Sequence, residues 1–127
     1  MPLYQKLLLI ALAGAAGTLA RFGVAGVVQR LHSTEFPWGT FAANAAGCFL
    51  FGIVWSLAEE RLIISGTTRA IVLIGFMGAF TTFSTFAFET GQMLDDAQWL
   101  PAAGNLLLHN VTGIALVLVG IALGRLF

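Results

Sequence analysis

GFMGAFTTFSTF, residues 75–86, lies inside a long apolar run, where a lipid-facing helix would carry mainly aliphatic side chains. This stretch instead interleaves glycines, hydroxyl groups and phenylalanine rings. Polar groups inside hydrocarbon are costly unless they are paired or face water, so polar groups in a membrane segment point to a functional site. The stretch therefore predicts an ion path.

The composition of the whole chain indicates an integral membrane protein. Of its 127 residues, 58% are hydrophobic and only 9% are charged, which is far from the balance of a soluble domain. Each of four apolar runs is long enough to cross a hydrocarbon core of about 30 Å as a helix. We predict an all-α fold, with residues 1–127 forming one four-helix transmembrane domain whose spans are residues 7–28, 38–58, 71–93 and 101–126.

Several function classes find no support in the sequence. Cys48 is the only cysteine, so one chain can build neither a disulfide nor a cysteine-based metal site. The sequence has two lone histidines, His32 and His109, which give little support to zinc. Six Lys/Arg balance six Asp/Glu without a basic cluster, so no nucleic-acid partner is expected. No catalytic triad pattern or phosphate loop is present, and we predict that the protein is not an enzyme.

The basic residues give only a weak signal for orientation in the membrane. If the runs alternate in direction, four basic residues fall on one side and one or two on the other: Lys6, Arg61, Arg69 and Arg125 against Arg30 and Arg21. This bias favours both termini in the cytoplasm and leaves mixed orientation open. Four helices are few to enclose a path on all sides, so an oligomer is expected, and a homodimer is the simplest case.

Polar residues within the first two spans are candidates for lining a path. Arg21 lies about two-thirds along the first run, where its side chain could reach the interface, pair with a carbonyl or an acid, or attract anions. Asn44 follows Thr40 by four residues, so both lie on one helix face. The Asn44 amide can donate two hydrogen bonds to a desolvated anion, or it can form an ordinary interhelical hydrogen bond.

The third span combines features of a broken helix and an aromatic stripe. Gly75 and Gly78 precede the hydroxyl-rich residues 81–85, and such residues can open a helix and free its carbonyls. Freed carbonyls could bind a small cation, while amides or hydroxyls could bind an anion. Phe80, Phe83 and Phe86 recur every three residues. They fit core packing, but their partly positive ring edges could also favour an anion.

Small residues recur along the spans at intervals typical of helix packing. Helices in lipid associate closely where such residues let their backbones approach. The pairs indicate a compact bundle: Gly14 with Gly17, Ala43 with Gly47, and Gly120 with Gly124. In the fourth span, His109, Asn110 and Thr112 do not share one helix face, so at most some of them line a path.

Three segments together resemble the Fluc or CrcB family of small fluoride channels. They are the 75–86 stretch, Gly39-Thr40-x-x-x-Asn44-x-x-Gly47, and Gly17-x-x-x-Arg21-Phe22. The length and the four-span layout match as well. The resemblance implies a dual-topology homodimer in a bacterial inner membrane, in which two antiparallel copies form two fluoride pores that let toxic cytoplasmic fluoride escape passively.

The resemblance also implies roles for individual residues. Phe83 and Phe86 match the pore phenylalanines of the family, Asn44 matches its pore asparagine, and Arg21 matches its vestibule arginine. Thr40 and Ser84 are implied as hydroxyl donors. A sodium ion at the centre of the dimer would be held by the main-chain carbonyls of Gly78 and Thr81. The family's polar positions in the fourth span are not evident here, so some of His109, Asn110 and Thr112 are expected to line the path.

Two other functions remain open at the level of the sequence. In a proton-coupled exporter, Glu89 or His109 would carry the proton, as intramembrane acids and histidines do in pumps. Alternatively, the protein could be a non-transporting structural component that only packs against membrane partners. The sequence alone does not assign a role to Glu89.

Overall fold

The computed structural model describes all 127 residues, and nearly all of them are helical. Four helices are long and apolar enough to cross a membrane, which confirms the all-α fold with four spans. We number the helices α1 to α5, because the third span consists of two. They are α1 (Leu3–Leu31), α2 (Trp38–Glu60), α3 (residues 66–80), α4 (Phe83–Asp95) and α5 (Trp99–Gly124).

Local sequence explains where several helices begin. Pro2 and Pro37 immediately precede α1 and α2, and proline is well tolerated at a helix start because its missing N–H needs no partner there. Ser65 caps α3, since its hydroxyl accepts a hydrogen bond from the backbone N–H of Thr68 at 3.2 Å. Within α3, residues Ile71–Met77 form wider π-helical turns, which are often found near functional sites.

Helices α2 and α5 run in the same direction and pack along a seam of glycines. A Cβ atom on Gly52 would overlap the carbonyl oxygen of Val117, and one on Gly120 would overlap that of Phe49. A Cβ on Gly124 would lie 2.8 Å from the Cβ of Ser56. Only glycine therefore fits these positions, and the predicted packing role of Gly120 and Gly124 is confirmed.

Helix α1 packs against α3 and α2 in the same way. A Cβ on Gly17 would overlap the carbonyl oxygen of Phe76, whereas Gly14 makes only an ordinary contact, 3.7 Å from the oxygen of Gly75. Gly39 of α2 lies against the backbone of Ala25. The bundle therefore depends on close backbone approach between its spans, as expected in lipid.

The third span is broken near its middle, as the sequence predicted. The backbone is extended at Thr81 (φ −93°, ψ 156°) and Thr82 (φ −148°, ψ 108°), between the end of α3 and the start of α4. Gly78 keeps helical angles (φ −60°, ψ −32°). The break thus lies at two threonines rather than at a glycine, because side-chain hydroxyls and a neighbouring amide replace the lost helical hydrogen bonds.

Candidate functional site

Asn44 of α2 holds the break in place through two hydrogen bonds to one residue. The backbone N–H of Thr82 donates to Asn44 Oδ1 at 2.7 Å, and Asn44 Nδ2 donates to the carbonyl of Thr82 at 3.1 Å. The interhelical hydrogen bond considered for this asparagine is therefore present. The amide carries two hydrogens on Nδ2, so one remains for another acceptor.

The hydrogen bonds at the break leave two carbonyls without their helical donors. In a continuous helix, the N–H groups of Thr82 and Thr85 would bond to the oxygens of Gly78 and Thr81. Here the N–H of Thr82 bonds to Asn44, and that of Thr85 bonds to Thr82 Oγ1 at 3.2 Å. Gly47 allows this arrangement, because a Cβ there would overlap the methyl group of Thr81.

The N-terminus of α4 begins at the break, midway along the span. Thr82 is its N-cap, and the first turn contains no acidic residue. The first N–H groups of a helix have no intrahelical partner, and the helix dipole makes this end partly positive. Phe83 and Ser84 supply the first two of these N–H groups, so the break presents a partly positive end inside the membrane region.

A cavity of about 380 Å³ lies beside the break, and we call it the central cavity. It brings together five of the predicted path residues: Asn44, Phe83, Phe86, His109 and Asn110. The rings of Phe83 and Phe86 have centroids 5.7 Å apart. Phe86 is 7% exposed and Phe83 is 78% exposed, so one ring is fixed in the bundle and the other projects from the isolated chain.

His109 of α5 forms one wall of the central cavity. Its ring centroid lies 4.3 Å from that of Phe86 and 5.5 Å from that of Phe41. Nδ1 lies 3.2 Å from the carbonyl oxygen of Asn105, whereas Nε2 is buried without a hydrogen-bond partner. The neighbouring Asn110 donates from Nδ2 to the carbonyl of Leu106 at 2.7 Å.

Arg21 lines a second cavity of about 330 Å³, which we call the arginine cavity. Thr40, Thr82 and Thr85 line it as well, and Thr82 also lines the central cavity. Arg21 takes part in neither of the two ion pairs of the chain. No ion pair neutralises its charge, so Arg21 can attract an anion into the space next to the central cavity.

A third, polar cavity of about 600 Å³ adjoins the second, and we call it the acidic vestibule. Its lining includes three carboxylates, those of Glu35, Glu89 and Asp96. Thr40 lines both this vestibule and the arginine cavity. The hydroxyl of Thr40 donates to Glu89 Oε1 at 2.7 Å, while Glu89 Oε2 is buried without a partner.

Two predicted path residues do not line these cavities, and two other residues gain a role. Ser84 and Thr112 line none of the three cavities. Thr82, by contrast, lines both the central and the arginine cavity. The sequence offers one signal for it, since threonine is a preferred residue at a helix N-cap. Asn105 is fully buried and donates from Nδ2 to Thr90 Oγ1 at 2.9 Å, which ties α5 to α4.

Together, these features define a multi-pass, all-helical membrane protein with polar cavities around a broken span. Residues 8–121 match the family described as CrcB-like protein, Camphor Resistance (CrcB). The chain belongs to this family, which confirms the resemblance found in the sequence.

Similar proteins match along almost their whole length. A protein of Nitrosococcus oceani is 56% identical over 98% of this chain and 99% of its own length. Proteins of Solidesulfovibrio magneticus and Desulforapulum autotrophicum are 52% and 51% identical, each over 96% of this chain and 98% of their own length. All three are named "Fluoride-specific ion channel FluC". These names describe channels, in agreement with the prediction that this chain is not an enzyme.

Proposed function

We propose that this protein is a fluoride-selective ion channel of a bacterial inner membrane, through which cytoplasmic fluoride leaves the cell passively. The observation that carries the proposal is the 56% identity to a fluoride-specific ion channel over 98% of the chain. The central cavity supports it, because it joins an amide, two aromatic rings and a histidine beside a helix N-terminus.

The residues around the break suit a small, strongly hydrated anion. Fluoride accepts hydrogen bonds only, so it can cross where N–H groups and ring edges replace its water. Asn44 has one amide hydrogen to offer, and Phe83 and Phe86 offer ring edges with partial positive charge. Four further candidates line the central or the arginine cavity and contribute more weakly in this proposal: Arg21, Thr40, His109 and Asn110. Ser84 and Thr112 line neither cavity, so the proposal gives their side chains no part in the path.

The proposed channel is an antiparallel homodimer. Gly78, Phe83 and Ser84 are exposed in the isolated chain, although they flank a break whose backbone groups lack helical partners. Irregular backbone facing lipid is strongly unfavourable, but it is tolerated where protein covers it or where it lines a cavity. A second copy would cover this face, and the weak bias of the basic residues allows that copy to insert in the opposite direction.

Sodium is the proposed structural ion of this dimer. The carbonyl oxygens of Gly78 and Thr81 have lost their helical donors to Asn44 and Thr82. Unwound carbonyls of this kind coordinate Na⁺ in other membrane proteins. At the dimer centre, two such oxygens from each copy would coordinate the ion, and the ion would satisfy the carbonyls of both breaks. The residues present therefore fit sodium.

Fluoride efflux from reconstituted liposomes tests the proposed function. Liposomes loaded with potassium fluoride and treated with valinomycin should release fluoride rapidly, whereas chloride-loaded liposomes should release no more than protein-free ones. Absence of fluoride release would contradict the proposal and favour a structural membrane protein. Recording under voltage clamp separates a channel from an exporter, because only a channel gives an ohmic fluoride current in discrete single-channel steps.

A further inference from the structure

The hydrogen bond of His109 determines which of its ring nitrogens carries the proton. Nδ1 lies 3.2 Å from the carbonyl oxygen of Asn105, and a carbonyl can only accept. Nδ1 must therefore be the donor in this contact. A neutral imidazole has a single N–H, so Nε2 of neutral His109 carries a bare lone pair.

Nothing in the chain satisfies that lone pair. Nε2 is buried and has no hydrogen-bond partner, and the rings packed against His109 are those of Phe41 and Phe86, which offer no N–H or O–H. A buried acceptor without a donor is unfavourable. Because His109 lines the central cavity, its lone pair would also repel an anion bound next to Nε2. Neutral His109 therefore opposes fluoride in the central cavity.

Protonation reverses this relation. The imidazolium donates from both nitrogens, so Nδ1 keeps its bond to Asn105 while Nε2 gains an N–H and seeks an acceptor. The Phe86 ring, tilted 36° at 4.3 Å, can stabilise the cation through its negative face. No lysine or arginine lines the central cavity, so this proton would supply its only positive side chain.

The charged and titratable groups around His109 are few. On α2, Cys48 lines the same cavity. On α4, Glu89 follows Phe86 by three residues, and its carboxylate is held by Thr40. On α1, Arg21 lines the adjoining arginine cavity. Among these, Glu89 is the group whose titration could imitate that of His109, because its protonation would also make the path less negative.

We propose that His109 is a proton-dependent fluoride-binding residue, whose protonated Nε2–H donates to fluoride in the central cavity. The inference rests on the proposed channel function and adds a regulation to it. Fluoride and the proton bind cooperatively at this site, since each favours the other by the same factor. Fluoride current should therefore rise as the pH is lowered and His109 becomes protonated.

Planar-bilayer recording under voltage clamp in symmetric sodium fluoride tests this dependence. Neutral HF crosses the bilayer without carrying current, so it does not disturb the measurement. As the pH is lowered from about 8 to about 5, the wild-type fluoride current should increase by about fivefold or more. His109→Asn keeps an N–H donor that does not titrate, so its current should not vary with pH, and His109→Gln serves as a second variant if the first does not assemble.

His32 provides a matched control. Its Nδ1 likewise contacts the carbonyl four residues earlier, that of Val28, at 2.9 Å, but the residue is exposed and lies outside the cavities. His32→Asn should keep the pH profile of the wild type. A nuclear magnetic resonance experiment gives a readout besides current, because fluoride but not chloride should shift the His109 ¹⁵N signals at about pH 5 and not at about pH 8.

The remaining outcomes separate this inference from the proposed function. A pH-dependent current that persists in His109→Asn and disappears in Glu89→Gln would overturn the role of His109 while the channel stands. A wild-type current that does not vary with pH would overturn it as well. Absence of fluoride current at every pH would overturn both proposals, and uphill fluoride transport driven by a pH gradient would replace them with a proton-coupled exporter.

Discussion

The two halves of α2 contact their neighbours by different means. In the C-terminal half, Gly52 lies against the backbone of α5, and both helices keep their own hydrogen bonds. In the N-terminal half, Asn44 bonds to the N–H and the carbonyl of Thr82, where the backbone of the third span is extended. One half joins two intact helices, and the other keeps a helix open.

This difference separates stability from transport along a single helix. The glycine seam stabilises the bundle through close van der Waals contact and has no polar group to offer an ion. The Asn44 contact stabilises an opening whose carbonyls, N–H groups and cavity are suited to ions. Substitutions at the seam should therefore impair folding, whereas substitutions at the break should impair fluoride flux in a protein that still folds.

The largest effect is expected at the seam, from Gly52→Val. The added side chain would overlap the carbonyl of Val117, and backbone cannot move aside as a flexible side chain can. Forcing the two helices apart should cost about 3 kcal/mol or more, so little monodisperse protein should survive size-exclusion chromatography. Gly104→Ala on α5 is the control, because a Cβ there meets nothing within 4 Å. Equal yields for both variants would show that the seam does not determine folding.

At the break, Asn44→Asp should abolish fluoride flux without unfolding the protein. The carboxylate can still accept from the N–H of Thr82, but it cannot donate to the Thr82 carbonyl and it places a negative charge in the central cavity. Like charges in a region of low dielectric repel strongly, so efflux from liposomes should fall to the protein-free level. Unchanged efflux would mean that Asn44 only holds the break and does not face the ion.

The two pore rings should show a smaller loss of flux. Phe86→Ile and Phe83→Ile remove a ring edge from the central cavity but keep apolar volume. If each edge contributes about 1 kcal/mol to the passage of fluoride, efflux should fall by about fivefold to tenfold, with the elution volume unchanged. Phe88→Ile is the control, since Phe88 is exposed and lines none of the three cavities. Full efflux in both ring variants would exclude a pore role for the rings.

Sodium replacement should have a milder effect than the loss of a ring. Carbonyl oxygens fixed at the break would fit a larger cation less well, so protein purified in potassium or caesium should show partially reduced efflux while its secondary structure stays intact. Restoring sodium should recover the flux. The Gly78 and Thr81 site would be refuted by efflux that is the same in every cation.

The sequence predicted the features that depend on composition and on local pattern. The apolar runs predicted the four spans, and small residues such as Gly17 and Gly120 indicated the contacts between helices. The GFMGAFTTFSTF stretch indicated the break, but it did not place the break at Thr81 and Thr82. A backbone N–H that leaves a helix needs another acceptor. Here that acceptor is Asn44 on α2, which only the tertiary structure shows. In the same way, the sequence pointed to His109 but could not show its hydrogen bond to the Asn105 carbonyl or its ring contact with Phe86.

The sequence also could not show how the path residues divide among cavities. Thr40 and Asn44 share a helix face, yet Thr40 donates to Glu89 while Asn44 bonds to the break. Ser84 is part of the signature stretch, but it lies on the exposed face of α4 and outside the three cavities. Sequence spacing defines the face of one helix, whereas the cavity depends on which helices meet that face.

The smallest effect is expected at the end of the seam, where Arg125 of the C-terminus forms a two-pronged ion pair with Glu60, with distances of 2.7 and 2.8 Å. Both side chains are substantially exposed, at 61% and 35%, and exposed ion pairs contribute little because water and salt screen them. The melting temperature of Glu60→Gln should therefore not differ measurably from that of the wild type, at low or at high salt. If its melting temperature fell as steeply as that of Gly52→Val, the charges at the end of the seam, and not its glycines, would hold α2 to α5.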